Sequence, residues 1–225
     1  MTAAPLHLLA IGAHPDDIEL TMGGLAIRFA RGGHRVTWIV ATDGAAGSGG
    51  RDPDLAARRR AEAEAAADAG GAALVWLGFP DGQLAWAADA PAMIGAAVAG
   101  LAPDLIVTHA LNDYHADHRA VARIVGDTAP ISTPVVRAET MLGLHFAPEL
   151  LVDISDVFDA KLAALAKHKS QASLSLIDAV SIWNRFRGLQ SSARRFVHAE
   201  AYAVDRRLST EVRPLLDRIG GYLTL

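Results

Sequence analysis

"LHLLAIGAHPDDIEL" occupies residues 6–20 and changes character halfway along. Leu6–Ala13 is a mainly apolar run of strand length, and His14, Pro15, Asp16 and Asp17 follow it directly. A short apolar segment without polar alternation suits a strand buried on both faces, as in a parallel sheet. A histidine and two adjacent carboxylates at its end then need a reason.

Outward from this strand the chain alternates. Gly23–Arg31 reads as a helix stopped by Gly32 and Gly33, and Arg35–Thr42 ("RVTWIVAT") as a second strand. The glycine-rich loop "DGAAGSGGRDP" leads into a long Ala/Arg/Glu helix from Asp54 to Ala69. A short strand at Leu74–Leu77 precedes "GFPDGQL". A helix at Pro91–Leu101, a strand at 103–109 and a helix at Asp117–Gly126 come next. Toward the C-terminus we expect a strand at Leu150–Ile154, a helix at Ser155–His168 and a late strand in "HAEAYAV" (198–204). Continuous strands separated by helices of 10–15 residues indicate βαβ units. The expected fold is therefore α/β: Rossmann-like, with a mostly parallel sheet, helices on both faces, and one domain over residues 1–225. Residues 172–198 carry no assignable pattern.

Composition narrows the function. Lys and Arg number 21 against 25 Asp and Glu, a net charge of −4, which argues against a nucleic-acid partner. Cysteine is absent, so disulfides, thiolate metal ligands and a thiol nucleophile are excluded. No run of about 20 apolar residues could span a bilayer. The N-terminus lacks the pattern of a secretory signal, so a cytoplasmic location and no membrane partner are expected.

In open α/β sheets, ligands bind beyond the carboxyl ends of the strands. His14, Asp16 and Asp17 fall there, as do Thr42-Asp43, Phe79-Pro80-Asp81 and the stretch from His109 to His118. "NDYHADH" (112–118) places His115 and His118 three apart, on one face of a first helical turn. Two imidazoles with His14 and a carboxylate suit a catalytic zinc site, which takes three protein ligands and keeps a position open. The glycine-rich loop lacks both G-x-G-x-x-G and a terminal Lys-Ser/Thr, which weakens a nucleotide-binding alternative. A metal-dependent phosphohydrolase is a second alternative, though two imidazoles favour zinc over magnesium.

The chain resembles the PIG-L/LmbE family of metal-dependent N-deacetylases in "AHPDDIEL" (13–20), "TDGAAGS" (42–48), "RRAE" (59–62), "LGFPDGQL" (77–84), "PDLIVTHALNDYHADHRAV" (103–121) and "VDISDVFDAKLAALAKHKSQ" (152–171). Many members have Glu directly after the Asp pair, whereas here Ile18 intervenes before Glu19. The resemblance implies that His14, Asp17 and His118 bind Zn2+ or a similar divalent ion. It implies Asp16 as general base, a protonated His115 as oxyanion stabiliser, and Asp117 as the residue that orients a histidine. The implied substrate is a small N-acetylated molecule such as an amino sugar. An amidase cutting a larger sugar–thiol conjugate would use the same metal core.

Other residues are weighed individually. Arg51 and Asp81 suit contacts with substrate hydroxyls or plain solvated turns. Asn112 and Asp113 either order the loop before the histidines or touch substrate, and Asn112 is carried as a substrate candidate. Arg59 and Glu62 read as a helix-surface pair, although Arg59 is long enough to reach the rim. His168 reads as a cation favourable to a helix C-terminus. Trp183, Phe186 and the nearby arginines suit a substrate rim or a homo-oligomer contact.

Overall fold

The computed structural model describes residues 4–49, 52–143, 145–191, 195–205 and 212–225. The expected strands form one sheet around β1 (His7–Gly12), which pairs in parallel with β2 (Arg35–Thr42) and β4 (Leu105–His109). β3 (Ala73–Phe79) adds outside β2, and β5 (Val135–Ala138) outside β4, both also parallel. Beyond β5 the direction reverses. β7 (Ala199–Val204) pairs antiparallel with β5, β6 (Leu150–Asp153) with β7, and β8 (Tyr222–Thr224) with β6. The order is β3-β2-β1-β4-β5-β7-β6-β8.

β1 shows why its sequence is apolar throughout. Leu8 and Ala10 join the core on one face, with Met22, Leu25 and Phe29. Leu9 and Ile11 join the other, with Ile94, Val98, Val121 and Val125. The first layer contains α1 (Asp17–Thr21), α2 (Gly23–Arg31), α3 (Leu55–Gly70) and α6 (Phe158–Leu165); α4 (Ala90–Leu101) and α5 (Ala116–Thr128) form the second. Gly24 permits α2 to approach the sheet, since a Cβ there would lie 2.5 Å from Ile154 Cγ2.

Among the elements not expected from sequence, three shape the second half of the sheet. β5 is a four-residue strand interrupted by a charge, Arg137, which is buried against Asp205. α7 (Leu174–Leu189) fills the unassigned stretch; it has apolar residues on several faces and leaves Leu174, Ile182, Phe186 and Leu189 exposed. The antiparallel edge depends on β8, only three residues long. The helix expected over Ser155–His168 is shorter, Phe158–Leu165. Among the described residues, no helix is long and apolar enough to cross a membrane.

Candidate active site at the rim of the parallel strands

β1 ends at Gly12, and the chain turns immediately into α1, exposing the His-Pro-Asp-Asp corner above the sheet. Asp16 adopts φ 104°, a left-handed conformation rare outside glycine. It is held by a network rather than by preference. The Arg59 guanidinium lies 3.3 Å from Asp16 Oδ1 and also donates to the carbonyls of Pro15 and, at 3.0 Å, Gly44. Gly44 is required there because a Cβ would meet that guanidinium at 2.8 Å.

Asp17 points the other way. His14 Nδ1 lies 3.3 Å from Asp17 Oδ2, His118 Nε2 lies 3.2 Å from Asp17 Oδ1, and the two ring nitrogens are 3.1 Å apart. Donors at about 2.0–2.1 Å from a tetrahedral zinc lie roughly 3.3 Å from each other, so these three residues could hold one. The outer nitrogens are already occupied. His14 Nε2 lies 3.1 Å from Asp81 and 3.3 Å from Asp117, and His118 Nδ1 lies 2.9 Å from Asp113. Each ring is thus anchored by carboxylates on its far side, the usual arrangement behind a metal-bound histidine. The inner nitrogens lie within hydrogen-bonding distance of each other, and a cation could be shared by all three groups.

The electrostatics of the metal-free cluster distinguish the two carboxylates. Burial opposes charge on both rings, yet Asp17 and its neighbours raise His14 to about 12 and His118 to about 9. Burial also works against Asp17, but His118, His109 and His14 hold its carboxyl well below the usual carboxylate range. Asp16 behaves oppositely. Burial, reinforced by Asp17 and Glu19, outweighs Arg59 and lifts it to about 7. Adjacent residues are thereby divided into a permanent anion and a group able to take up a proton near neutrality.

His115 caps α5, its Nδ1 accepting from the Asp117 backbone N–H at 3.2 Å. That bond leaves the proton on Nε2. Burial and the charges of His14 and His118 lower its pKa. In this structure Nδ1 acts as an acceptor, which leaves Nε2 as the ring's donor.

Asp117 ties the site together, accepting from Gly82 N at 2.7 Å and Leu84 N at 3.1 Å while facing His14. Asp81 spends its carboxylate on His14 and on Ala46 N, so it lies behind the histidine instead of facing an open rim. Asn112 is exposed beside a separate hollow of about 290 Å³ that also includes Arg137 and Phe146. Arg51 lies outside the described residues.

Several residues carry more than the sequence indicated. Arg59 is buried at the rim instead of pairing on the helix surface; Glu62 binds Ser170 through its backbone N–H at 2.9 Å and its hydroxyl. His168 lies past the end of α6, fully buried, with Nε2 2.7 Å from Glu19. His109 had a position but no role. It accepts from Ala13 N at 3.0 Å and stacks on His118 with centroids 3.9 Å apart, fixing that ring from behind. Its place as the last residue of a buried strand was the available signal. Asp113 is buried and orders the loop, accepting from His115 N at 3.0 Å.

The PIG-L family, described as GlcNAc-PI de-N-acetylase, matches residues 9–129. A probable N-acetyl-alpha-D-glucosaminyl L-malate deacetylase 2 from Bacillus cereus is 33% identical over 196 residues, 76% of this chain and 86% of that protein. Two crystal structures share the fold. N,N'-diacetylchitobiose deacetylase from Pyrococcus horikoshii has a TM-score of 0.77 at 21% identity, covering 93% of this chain and 88% of its own. The 4-carboxy-2-hydroxymuconate hydratase of Pseudomonas putida has 0.80 at 22%, covering 92% and 98%. One fold thus serves proteins named for different reactions, and the site must decide the chemistry.

Proposed function

Since the chain belongs to the PIG-L family, we propose that it is a metal-dependent N-deacetylase that removes an acetyl group from an N-acetylated amino sugar or related small amide. The observation that carries this reading is the convergence of His14 Nδ1, Asp17 and His118 Nε2 beside an Asp16 that stays outside the set. The deacetylase name of the Bacillus cereus relative supports the reaction class.

His14, Asp17 and His118 would hold a divalent ion, which would polarise the amide carbonyl and could lower the pKa of water from 15.7 toward about 7. Two imidazoles and one carboxylate favour zinc. Asp16 takes the proton from the attacking water and returns it to the leaving amine. Its elevated pKa, about 7, matches that double duty. Arg59 keeps the Asp16 carboxylate oriented. His115 donates from Nε2 to the carbonyl oxygen as negative charge develops. Asp81, Asp117 and Asp113 hold the two ligand rings in their tautomers.

The test is release of free amine from a panel of N-acetyl amino sugars, with a generic phosphate ester and a sugar–thiol amide in parallel. Zinc-dependent cleavage of an N-acetyl sugar is expected. Turnover of the phosphate ester alone, or full activity in metal-free protein, overturns the reading.

A further inference from the structure

The two sides of α7 meet different surroundings. On one side Val180, Asn184 and Gly188 are buried, and Trp183 and Arg187 bind Glu139. The opposite side carries Leu174, Ile182, Phe186 and Leu189, exposed by 83%, 72%, 51% and 60%. At 3.6 residues per turn, positions 174, 178, 182, 185 and 189 share one stripe, with Phe186 at its edge. The outer stripe of a surface helix is normally polar, and large apolar side chains gathered there mark an interaction surface. We propose that this face is covered by the same face of a second copy of the chain, the two α7 helices packing antiparallel about a twofold axis between Ser181 and Ile182. The proposal is independent of the reaction proposed above.

Two charges in the stripe identify the occupant. Asp178 and Arg185 are exposed, and among the described residues neither forms an ion pair. They stand equally far on either side of the helix midpoint, as do Leu174 and Leu189 at its ends. An antiparallel copy therefore sets Asp178 against the partner's Arg185, and Arg185 against the partner's Asp178. It also sets Leu174 against the partner's Leu189 and brings Ile182 close to the axis. Such self-complementarity is what an isologous interface demands.

The alternatives fit less well. A parallel pair would bring like charges together. Sliding the antiparallel pair by one turn would set Arg185 against an apolar residue, Ile182 in one direction and Leu174 in the other. The charges thus fix register as well as direction. Helices that lie on a lipid surface are rich in Lys and Arg on their polar face. Here one cation and one anion cancel within the stripe.

Sedimentation velocity of the full chain in zinc-containing buffer, from about 1 to 200 µM, spans the weak end of specific interfaces. The wild type should self-associate. Ile182→Glu places two carboxylates near the axis and should raise the dissociation constant by about tenfold or more. Asp178→Arg and Arg185→Asp should each weaken association by a similar factor, because each variant then faces its own like charges. An equimolar mixture of those two variants should regain near wild-type affinity, since two cations on one copy meet two anions on the other. All three positions are exposed, and thermal melts matching the wild type check that each variant is folded. A wild type that stays monomeric overturns the proposal, whether or not it binds phosphatidylglycerol vesicles. So does association that survives Ile182→Glu, or a mixture of the two charge variants that gains nothing over either alone.

Discussion

Two clusters of buried charge lie on opposite halves of the sheet, one built from Lys161, Glu200, Asn184 and Tyr202 and the other from histidines and aspartates. In the antiparallel half, Lys161 donates to Glu200 and Asn184, each at 2.8 Å. Glu200 also accepts from Gly24 N, Leu25 N and the Tyr202 hydroxyl. Its two oxygens receive four hydrogen bonds, the full capacity of a carboxylate. At the parallel rim the outer atoms of His14 and His118 are matched by carboxylates, while their inner nitrogens face each other and Asp17. The first cluster is complete within the chain and cements α2, α6, α7 and β7. The second brings two imidazole nitrogens and a carboxylate to one point, where a cation could bind. Burial of charge does not identify a functional site; the direction of the remaining lone pairs does.

The comparison breaks most severely if metal removal leaves the rim unaffected. Chelation should abolish activity, and zinc should restore it. With free zinc about a thousandfold above Kd, binding stabilises the fold by about 4 kcal/mol, a Tm difference of roughly 10 °C measurable by calorimetry. Asp17→Ala and His118→Ala should lose both activity and stoichiometric metal. Retention of metal by both would mean that the ligand set is assigned wrongly.

Asp16→Asn separates the base from the ligands. Turnover should fall by about 10²–10⁴-fold while metal content, measured by elemental analysis, stays near stoichiometric. Loss of metal in this variant, with retention in Asp17→Asn, would reverse the two assignments.

Lys161→Met tests the other cluster. It leaves Glu200 as an uncompensated buried charge, and denaturant unfolding should show a loss of about 3–5 kcal/mol. Zinc content of the folded fraction should match the wild type. A change in metal affinity would show that the two halves are coupled.

The smallest expected effect concerns His168 and Glu19. Burial opposes the imidazolium, but Glu19 more than offsets it, so the His168 pKa is raised in the folded chain above its ordinary 6.5. A raised folded value binds protons more tightly than the unfolded chain does. This contribution is therefore complete below about pH 6.5 and lost as pH rises through the folded pKa. Thermal melts between pH 6 and 9 should slope downward in the wild type and flatten in His168→Gln. Identical slopes would remove this pair from the stability of the rim.

Legibility in the sequence followed the range of the interactions. β2 matches its expected bounds, and α2 does too, because a buried strand and an amphipathic helix write their periods locally. Arg137 in β5, by contrast, is an unlikely strand-core residue until Asp205 is beside it. α7 hides because its pattern has no single apolar face. Arg59 reads as a solvated helix residue, and only the turn of Asp16 over α3 shows it buried.

By itself the sequence determined that strands end in His-Pro-Asp-Asp and in an His-x-x-His loop, and hence that both clusters meet at one rim. Topology of consecutive βαβ units is short-range enough to be read from periodicity. Tertiary structure alone decided which atoms face inward: that Asp113, 5 residues before His118, and Asp81, far away in sequence, stand behind the His118 and His14 rings. It alone joined the Trp183 indole to Glu139, 44 residues distant. The physical reason is that a side chain's role at a site depends on its partners across the fold, and partners joined only by packing leave no periodic trace along the chain.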